Sequence, residues 1–416
     1  MGPRRIQNLI SLLAVALLGS ACFWTLRLGY ADRLFYTGSL EGVKRAAELV
    51  PDNGRYLARW AAMLDQSEND RRASLAALAA AVACNPRDAS SWIELGLRAE
   101  MDGDFAKAES NLLEAARVDK QYGPQWALVN FYFRRNDAEK FWVWAREAAA
   151  MSFGDATPLY RLCWRFVKDP AVILNRAIPD QPQSLLRYLE FLLADDLLDA
   201  LEPVGQRVAE RASQHDLPVL FASCDRLLGA RRLPGALRIW NALCQRGLVP
   251  YQALEPEKGL SLTNPDFAAL PVSHGFDWRL HNPQGVSWSR GESPPLLRIT
   301  FSGKQPESCE ILGQLVPVLP GKQYGLGFRY RTFGIAPDTG LRWRVFDAMT
   351  SAELGSPSRD LSNEQEAEDV LMLLTPAGTR LVRVVLMYQR TLGTTRIEGS
   401  VSLRRVRLEF ASTAAK

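Results

Sequence analysis

Few residues in this chain have the types and spacing that catalysis or metal binding requires. The chain contains three histidines, His215, His274 and His281, and no His or Cys pair has zinc-site spacing. It has no glycine-rich phosphate loop and no serine in a nucleophile elbow. The carboxylates of Asp195-Asp196 and of Glu364 to Asp369 run together, but such runs are usually solvated helix ends or loops. The sequence therefore predicts no enzyme, no metal site and no cofactor.

Binding chemistry is better represented than catalysis. Phe131 stands close to Arg134 and Arg135, and a guanidinium pairs bidentately with a carboxylate. An acidic or carboxyl-bearing protein segment is the partner that such a group would receive. The alternative is an ordinary charged helix face.

Several aromatic residues in the last third of the chain could stack on a sugar ring. Trp288 is the most distinctive, because Ser287-Trp288-Ser289-Arg290-Gly291 is a polar setting typical of an exposed loop or strand end. The predicted glycan-binding residues are Trp288, Arg290, Trp278 and Trp343. Core packing is the competing role for each tryptophan, since β-sandwich cores also contain large aromatic residues.

The elements that position these residues begin with Pro86 to Lys120, which predicts two short amphipathic helices joined by a turn. Trp92, Leu95, Gly96 and Ala99 share one helix face, and Gly103-Asp104-Phe105 forms the turn. This order of large and small residues resembles the tetratricopeptide repeat (TPR), a helical hairpin of about 34 residues. Related patterns recur along the chain, which indicates five to seven hairpins stacked as a solenoid, with a shortened pair from Asp155 to Ile178.

The resemblance to TPR proteins implies a groove lined by the first helix of each hairpin. By that register the groove residues, which we predict to contact envelope proteins, are Ile93, Leu97, Glu100, Phe131, Arg134 and Arg135. Cys224 and Cys244 lie on the two helices of one later hairpin. They are either bridged or, as we favour, small residues buried in helix packing.

Helical periodicity stops near Leu248, and short alternating strands follow. Seven are readable, such as Leu296 to Phe301 and Leu341 to Phe346, and about eight antiparallel strands predict an all-β jelly-roll sandwich. The phrase from Leu262 to Trp278 and the later PGKQYGLGFRYR resemble the galactose-binding-like sandwiches found as carbohydrate-binding modules. Their Asn-Gly-Asp-Phe phrase is replaced here by Asn264 to Phe267, which lacks the glycine.

The N-terminus predicts a membrane helix. Ile6 to Leu26 is a run of 21 residues without charge, close to the roughly 20 needed to span a bilayer. Arg4 and Arg5 precede it, which favours a cytoplasmic N-terminus and an exported body. A cleaved signal peptide and a lipoprotein signal ending at Cys22 are the alternatives.

Together these patterns predict a multidomain protein with one transmembrane helix, an all-α TPR solenoid and an all-β jelly roll. The expected function is a non-enzymatic scaffold of the bacterial inner membrane with its bulk in the periplasm. Its partners would be envelope proteins, polysaccharide and the cytoplasmic membrane; near-balanced charge, 50 basic against 46 acidic residues, argues against nucleic acid. A scaffold whose sandwich binds no glycan is the alternative, and an enzyme subunit completed by its partner is a third. The predicted segments are a membrane anchor at 1–28, solenoid at 29–247, linker at 248–258, sandwich at 259–410 and a disordered tail at 411–416.

Overall fold

The computed structural model describes residues 3–65, 70–151 and 155–411, with side chains from residue 12 onward. Residues 412–416, which belong to the predicted disordered tail, lie outside the described residues. The chain separates into two compact units, Met1–Pro179 and Asp180–Lys416.

The described residues form fourteen α-helices followed by nine β-strands. The helices of the first unit are α1 (Pro3–Tyr36), α2 (Leu40–Leu49), α3 (Gly54–Met63), α4 (Arg71–Cys84), α5 (Ala89–Met101), α6 (Phe105–Val118), α7 (Tyr122–Arg135), α8 (Ala138–Met151), α9 (Thr157–Phe166) and α10 (Pro170–Arg176). The second unit begins with α11 (Pro182–Ala194), α12 (Leu198–Ala209), α13 (Leu217–Gly229) and α14 (Leu233–Gln245). Its strands are β1 (Arg279–Leu280), β2 (Val286–Glu292), β3 (Pro295–Ser302), β4 (Ser308–Pro317), β5 (Gln323–Phe333), β6 (Leu341–Asp347), β7 (Ala367–Leu374), β8 (Leu381–Gln389) and β9 (Glu398–Phe410).

The α5–α6 hairpin has the predicted register. Asp88 and Asp104 cap the two helices, accepting hydrogen bonds from the backbone N–H groups of Ser90 and Lys107. Gly96 is buried against α6, where Leu112 fills the space that a side chain would need. A small residue at this position is therefore what lets the two helices pack closely.

A shared turn ends the first helix of four hairpins. The turn places Gly103, Asn136, Asp196 and Arg231 in the left-handed region, with φ between 54° and 80°. The residue after each of these donates its N–H to the carbonyl five positions back, as Asp104 does to Ala99 at 2.9 Å. This is a Schellman-type helix end, for which glycine and asparagine are the usual residues.

Ion pairs also link positions about one repeat apart. Glu100 pairs with Arg134, 34 residues later in the first unit, and Asp196 pairs with Arg226, 30 residues later in the second. The α9–α10 pair is short, as predicted, because α10 has only 7 residues. The hairpin pattern confirms the predicted all-α array.

The first helix combines two environments in one uninterrupted element of 34 residues. Ala31 is buried, and Leu34 and Phe35 pack with it against Tyr56 of α3. The preceding part is uncovered within the described residues, and Leu12–Tyr36 is long and apolar enough to cross a bilayer. A membrane anchor and a signal sequence share this signature.

The β-strands form a sandwich of two antiparallel sheets, with strand orders β1-β4-β8-β6 and β2-β3-β9-β5-β7. Alternation places every second residue inside, as in β6, where Leu341, Trp343 and Val345 are buried while Arg342 and Arg344 are not. Nine strands replace the predicted eight or so, since β1 and β2 precede the first strand that the sequence pattern indicated. The all-β sandwich prediction is confirmed.

Candidate functional site

The predicted groove residues lie on α5 and α7 and differ in exposure. Ile93, Leu97 and Glu100 are half-buried on α5. On α7 the ring of Phe131 is buried, with 3% of its surface exposed, so it does not present an aromatic face to a partner. Arg134 and Arg135 are exposed.

Both groove arginines already have partners within the first unit. Arg134 donates two hydrogen bonds to the Glu100 carboxylate, at 2.7 Å from Nε to Oε1 and 2.6 Å from Nη2 to Oε2. The Arg135 guanidinium carbon lies 3.7 Å from the centre of the Phe105 ring, in cation–π geometry. An acidic partner segment would have to compete with Glu100 for Arg134 and with the Phe105 ring for Arg135.

Two predicted glycan-binding residues lie in the sandwich core. Trp278 and Trp343 are 0% exposed, and their ring centres are 6.0 Å apart. Trp278 donates its indole N–H to the carbonyl of Asn264 at 3.0 Å. Neither ring can offer a face to a sugar from this position, so the core role, not the binding role, applies to both.

The other predicted pair, Trp288 and Arg290, shares one face of the edge strand β2. Trp288 is partly buried and packs against the sandwich core, so it lies within a strand rather than in an exposed loop. Arg290 donates from Nη1 to the Ala268 carbonyl at 2.7 Å and approaches Glu292 at 3.3 Å. The structure brings these two residues together at a sheet edge and leaves their ligand a prediction.

A third group, which sequence reasoning missed, joins the last hairpin to the sandwich inside the second unit. Asp225 of α13 accepts hydrogen bonds from His274 Nδ1 at 2.6 Å, from the Gly275 N–H at 2.8 Å and from Arg279 Nη2 at 2.8 Å. The His274 ring stacks on Phe221, with ring centres 5.4 Å apart. One carboxylate therefore holds three groups from the segment that enters the sandwich.

Apolar packing completes this joint. Trp240 of α14 is fully buried and stacks on Tyr251, at 6.0 Å between ring centres. Gly275, at φ 56°, lies so close to Trp240 that a Cβ atom would be 2.6 Å from its ring. Asn241 exchanges two hydrogen bonds with the backbone of Leu254. The segment predicted as a linker at 248–258 thus lies against α14.

A buried carboxyl group lies next to the joint, in the segment that enters the sandwich. Asp277 is fully buried and accepts hydrogen bonds from the Tyr251 hydroxyl at 2.7 Å and the Val272 N–H at 2.6 Å. Burial raises the pKa of Asp277 to about 6, because desolvation outweighs the hydrogen bonds and the nearby Arg279. Burial likewise raises the pKa of the Tyr251 phenol.

Sequence reasoning could not reach this joint because Asp225 lies 49 to 54 positions from its partners. Cys224 and Cys244 are unbridged thiols, and burial raises the pKa of Cys244 to about 12.

Within the described residues, no group of three or more His, Cys, Asp or Glu side chains could hold a metal ion.

Comparison with known proteins gives similar folds and no family. No protein-family model and no curated protein matches the chain. Among solved structures, a CBM4 carbohydrate-binding module is 11% identical over 36% of this chain and 99% of its own, with a TM-score of 0.29. YrrB, a TPR protein with an unusual peptide-binding site, is 12% identical over 51% of this chain and 94% of its own, with a TM-score of 0.26. TmCBM61, solved in complex with beta-1,4-galactotriose, is 14% identical over 35% of this chain and 95% of its own, with a TM-score of 0.26. Similarity at this level does not identify a ligand, and the architecture is established by the hairpins and sheets described above.

Proposed function

We propose that this protein is a non-enzymatic scaffold anchored in a bacterial inner membrane, with its bulk in the periplasm. The helical hairpins hold envelope proteins and the sandwich holds a glycan, in envelope or exopolysaccharide assembly. The single observation that carries the anchor is α1. Leu12, Leu17 and Leu26 are each more than two-thirds exposed, whereas Ala31, five residues later, is fully buried in the first hairpin core.

Exposed leucines along several helical turns are unfavourable in water and favourable in a bilayer. The helix stays unbroken where it enters the packed region, so a membrane span would be joined directly to the first hairpin. Arg27 marks the boundary, because its Nε donates to the Leu49 carbonyl at 2.7 Å and its guanidinium lies 4.9 Å from the Trp24 ring centre. Tryptophan and arginine at such a boundary suit a membrane interface.

Membrane retention tests the anchor. Replacing Leu13 and Leu17 by arginine costs about 5–7 kcal/mol of insertion free energy if both lie near the bilayer centre. We expect the double variant to leave the membrane fraction after alkaline carbonate extraction. The matched control is Leu113→Arg, at an exposed position of α6. Retention of the double variant, or a mature protein lacking residues before Cys22, would contradict an uncleaved anchor.

Reporter fusion tests the orientation. Alkaline phosphatase fused after residue 250 should be active if the body is exported, because the two arginines at positions 4 and 5 keep the N-terminus inside. An inactive phosphatase together with an active cytoplasmic reporter at the same residue would refute the periplasmic location.

A scaffold whose sandwich binds no glycan is the second candidate. Burial of Trp278 and Trp343 supports it, because it removes two of the three tryptophans that were predicted to bind a glycan. A glycan array probed with the full-length protein in detergent separates the two candidates. Binding that is lost in Trp288→Ala supports the glycan-binding scaffold, and an array without signal supports the other.

A further inference from the structure

A cleft of about 590 Å³ lies between the turn after α13 and the outer face of the β1-β4-β8-β6 sheet. Leu315 of β4 and Leu381 of β8 line it on the sheet side, and Leu228 lines it on the helix side. All of these residues belong to the second unit. The cavity has the size of a small-molecule site, and such sites occur preferentially where two substructures meet.

The charged side chains of this cleft are unevenly paired. Arg279 is held by Asp225 at 2.8 Å, and Arg383 is held by Glu310 at 2.5 Å. His281 also approaches Glu310, at 3.3 Å. Both carboxylates in the lining are thus already engaged by cations.

Arg231 is the remaining charged residue of the lining, and its pairing differs from that of the others. Across the part of the chain that the structure describes, its guanidinium has no ion-pair or hydrogen-bond partner. The cleft therefore holds three guanidinium groups against two carboxylates, and one of the three is free to bind. Guanidinium groups pair bidentately with carboxylate and phosphate oxygens.

The backbone at Arg231 gives an independent reason to look for a role of its side chain. Its φ is 63°, in the left-handed region, where a residue with a Cβ atom is disfavoured. The same turn position holds Gly103, Asn136 and Asp196 in the other hairpins, which are residue types that tolerate this conformation. An arginine there is unfavourable for the turn, and its side chain lines the cleft.

We propose that this cleft binds a small ligand that carries an oxyanion, either a carboxylate or a phosphate group. Arg231 supplies the free guanidinium, while Arg279 and Arg383, already oriented by their carboxylates, present their remaining N–H groups. The leucines contact the apolar part of the ligand. This inference does not depend on the membrane anchor or on the glycan-binding edge at Trp288.

The test uses full-length protein in detergent and three probes: inorganic phosphate, glucuronate and neutral glucose. Isothermal titration should show binding of at least one anion, weakening as salt is raised, with glucose much weaker. Phosphate alone would identify a phosphate-bearing ligand, and glucuronate alone would identify a sugar acid. No binding of either anion, or glucose binding equal to glucuronate, would overturn the proposal.

Arg231→Gly removes the guanidinium and relieves the backbone, so the variant should fold at least as stably as the parent. Its affinity for the anion should fall about tenfold or more, as expected for losing a charge-assisted contact. Arg231→Asn is a second variant that also suits the turn. The control Asn136→Gly makes the same backbone change in another hairpin and should leave binding unchanged. Unaltered affinity in both Arg231 variants would refute the site.

Discussion

Replacement of Gly96 is the sharpest test of how the α5–α6 hairpin packs. A Cβ atom on Gly96 would lie 2.7 Å from Cγ and Cδ2 of Leu112 and 3.3 Å from the Ala108 carbonyl oxygen. Favourable carbon–carbon contacts are about 3.5–4.0 Å, so even one methyl group is too close by roughly 1 Å. Overpacking of a core costs about 1–3 kcal/mol. Removing a glycine from a helix recovers at most about 1 kcal/mol.

We therefore expect Gly96→Ala to lower the free energy of unfolding by about 0–2 kcal/mol, and Gly96→Leu by about 1–3 kcal/mol or more. In a domain of 150–250 residues, 1 kcal/mol corresponds to about 2–4 °C in melting temperature. Thermal unfolding followed by circular dichroism should thus show a fall of about 2–12 °C for the leucine variant.

The matched control is Glu94→Ala on the same helix, where the side chain is exposed and its nearest cation, Arg98 Nε, is 3.8 Å away. We expect a change of under about 0.5 kcal/mol there. If Gly96→Leu and Glu94→Ala were equally mild, the helix contact described for Gly96 would be wrong.

Two further predictions concern the sandwich. Trp278→Ala removes a fully buried ring and should lower the free energy of unfolding, measured by chemical denaturation, by about 3–5 kcal/mol. Trp288→Ala at the sheet edge should lower it clearly less while weakening any glycan binding about ten- to hundredfold. Equal losses of stability would mean that Trp288 is as much a part of the core as Trp278. Burial raises the pKa of Asp277 from 3.8 to about 6, so between these pH values the folded protein keeps a proton that the unfolded chain releases. The free energy of unfolding should therefore fall as pH rises from about 4 to 6, by at most about 3 kcal/mol. Asp277→Asn, which resembles the protonated form, should flatten that part of the profile; an unchanged slope would refute the assignment.

Local sequence patterns predicted the hairpins because the residues that specify each hairpin lie close together in the sequence. Gly103 and Asp104 specify a left-handed turn and a helix cap within two positions, and Gly96 and Ala108 fix the facing surfaces at short sequence distance. The strands were readable for the same reason. Only β1 and β2 were missed, since β1 has 2 residues and β2 alternates polar residues around Trp288.

The candidate binding residues were harder because a residue type does not reveal which face it occupies. For Trp343 the signal was present, since it alternates in phase with Leu341 and Val345 and therefore points inward with them. For Arg134 the readable signal was its spacing of 34 residues from Glu100, one repeat length, but whether the two side chains pair depends on how the hairpins stack.

The joint around Asp225 determines how much the second unit must rearrange when a ligand binds in the cleft. Because Asp225, Trp240 and Tyr251 fix the last hairpin to the sandwich, a ligand in the cleft contacts a helix turn at Arg231 and a sheet at Arg383 that already form one body. Little ordering of the protein is then needed for binding, which favours affinity. A ligand at a hundred times its dissociation constant would add about 2.7 kcal/mol to the free energy of unfolding. That gain should protect the helical and β parts of this unit together, because local unfolding of either would open the cleft.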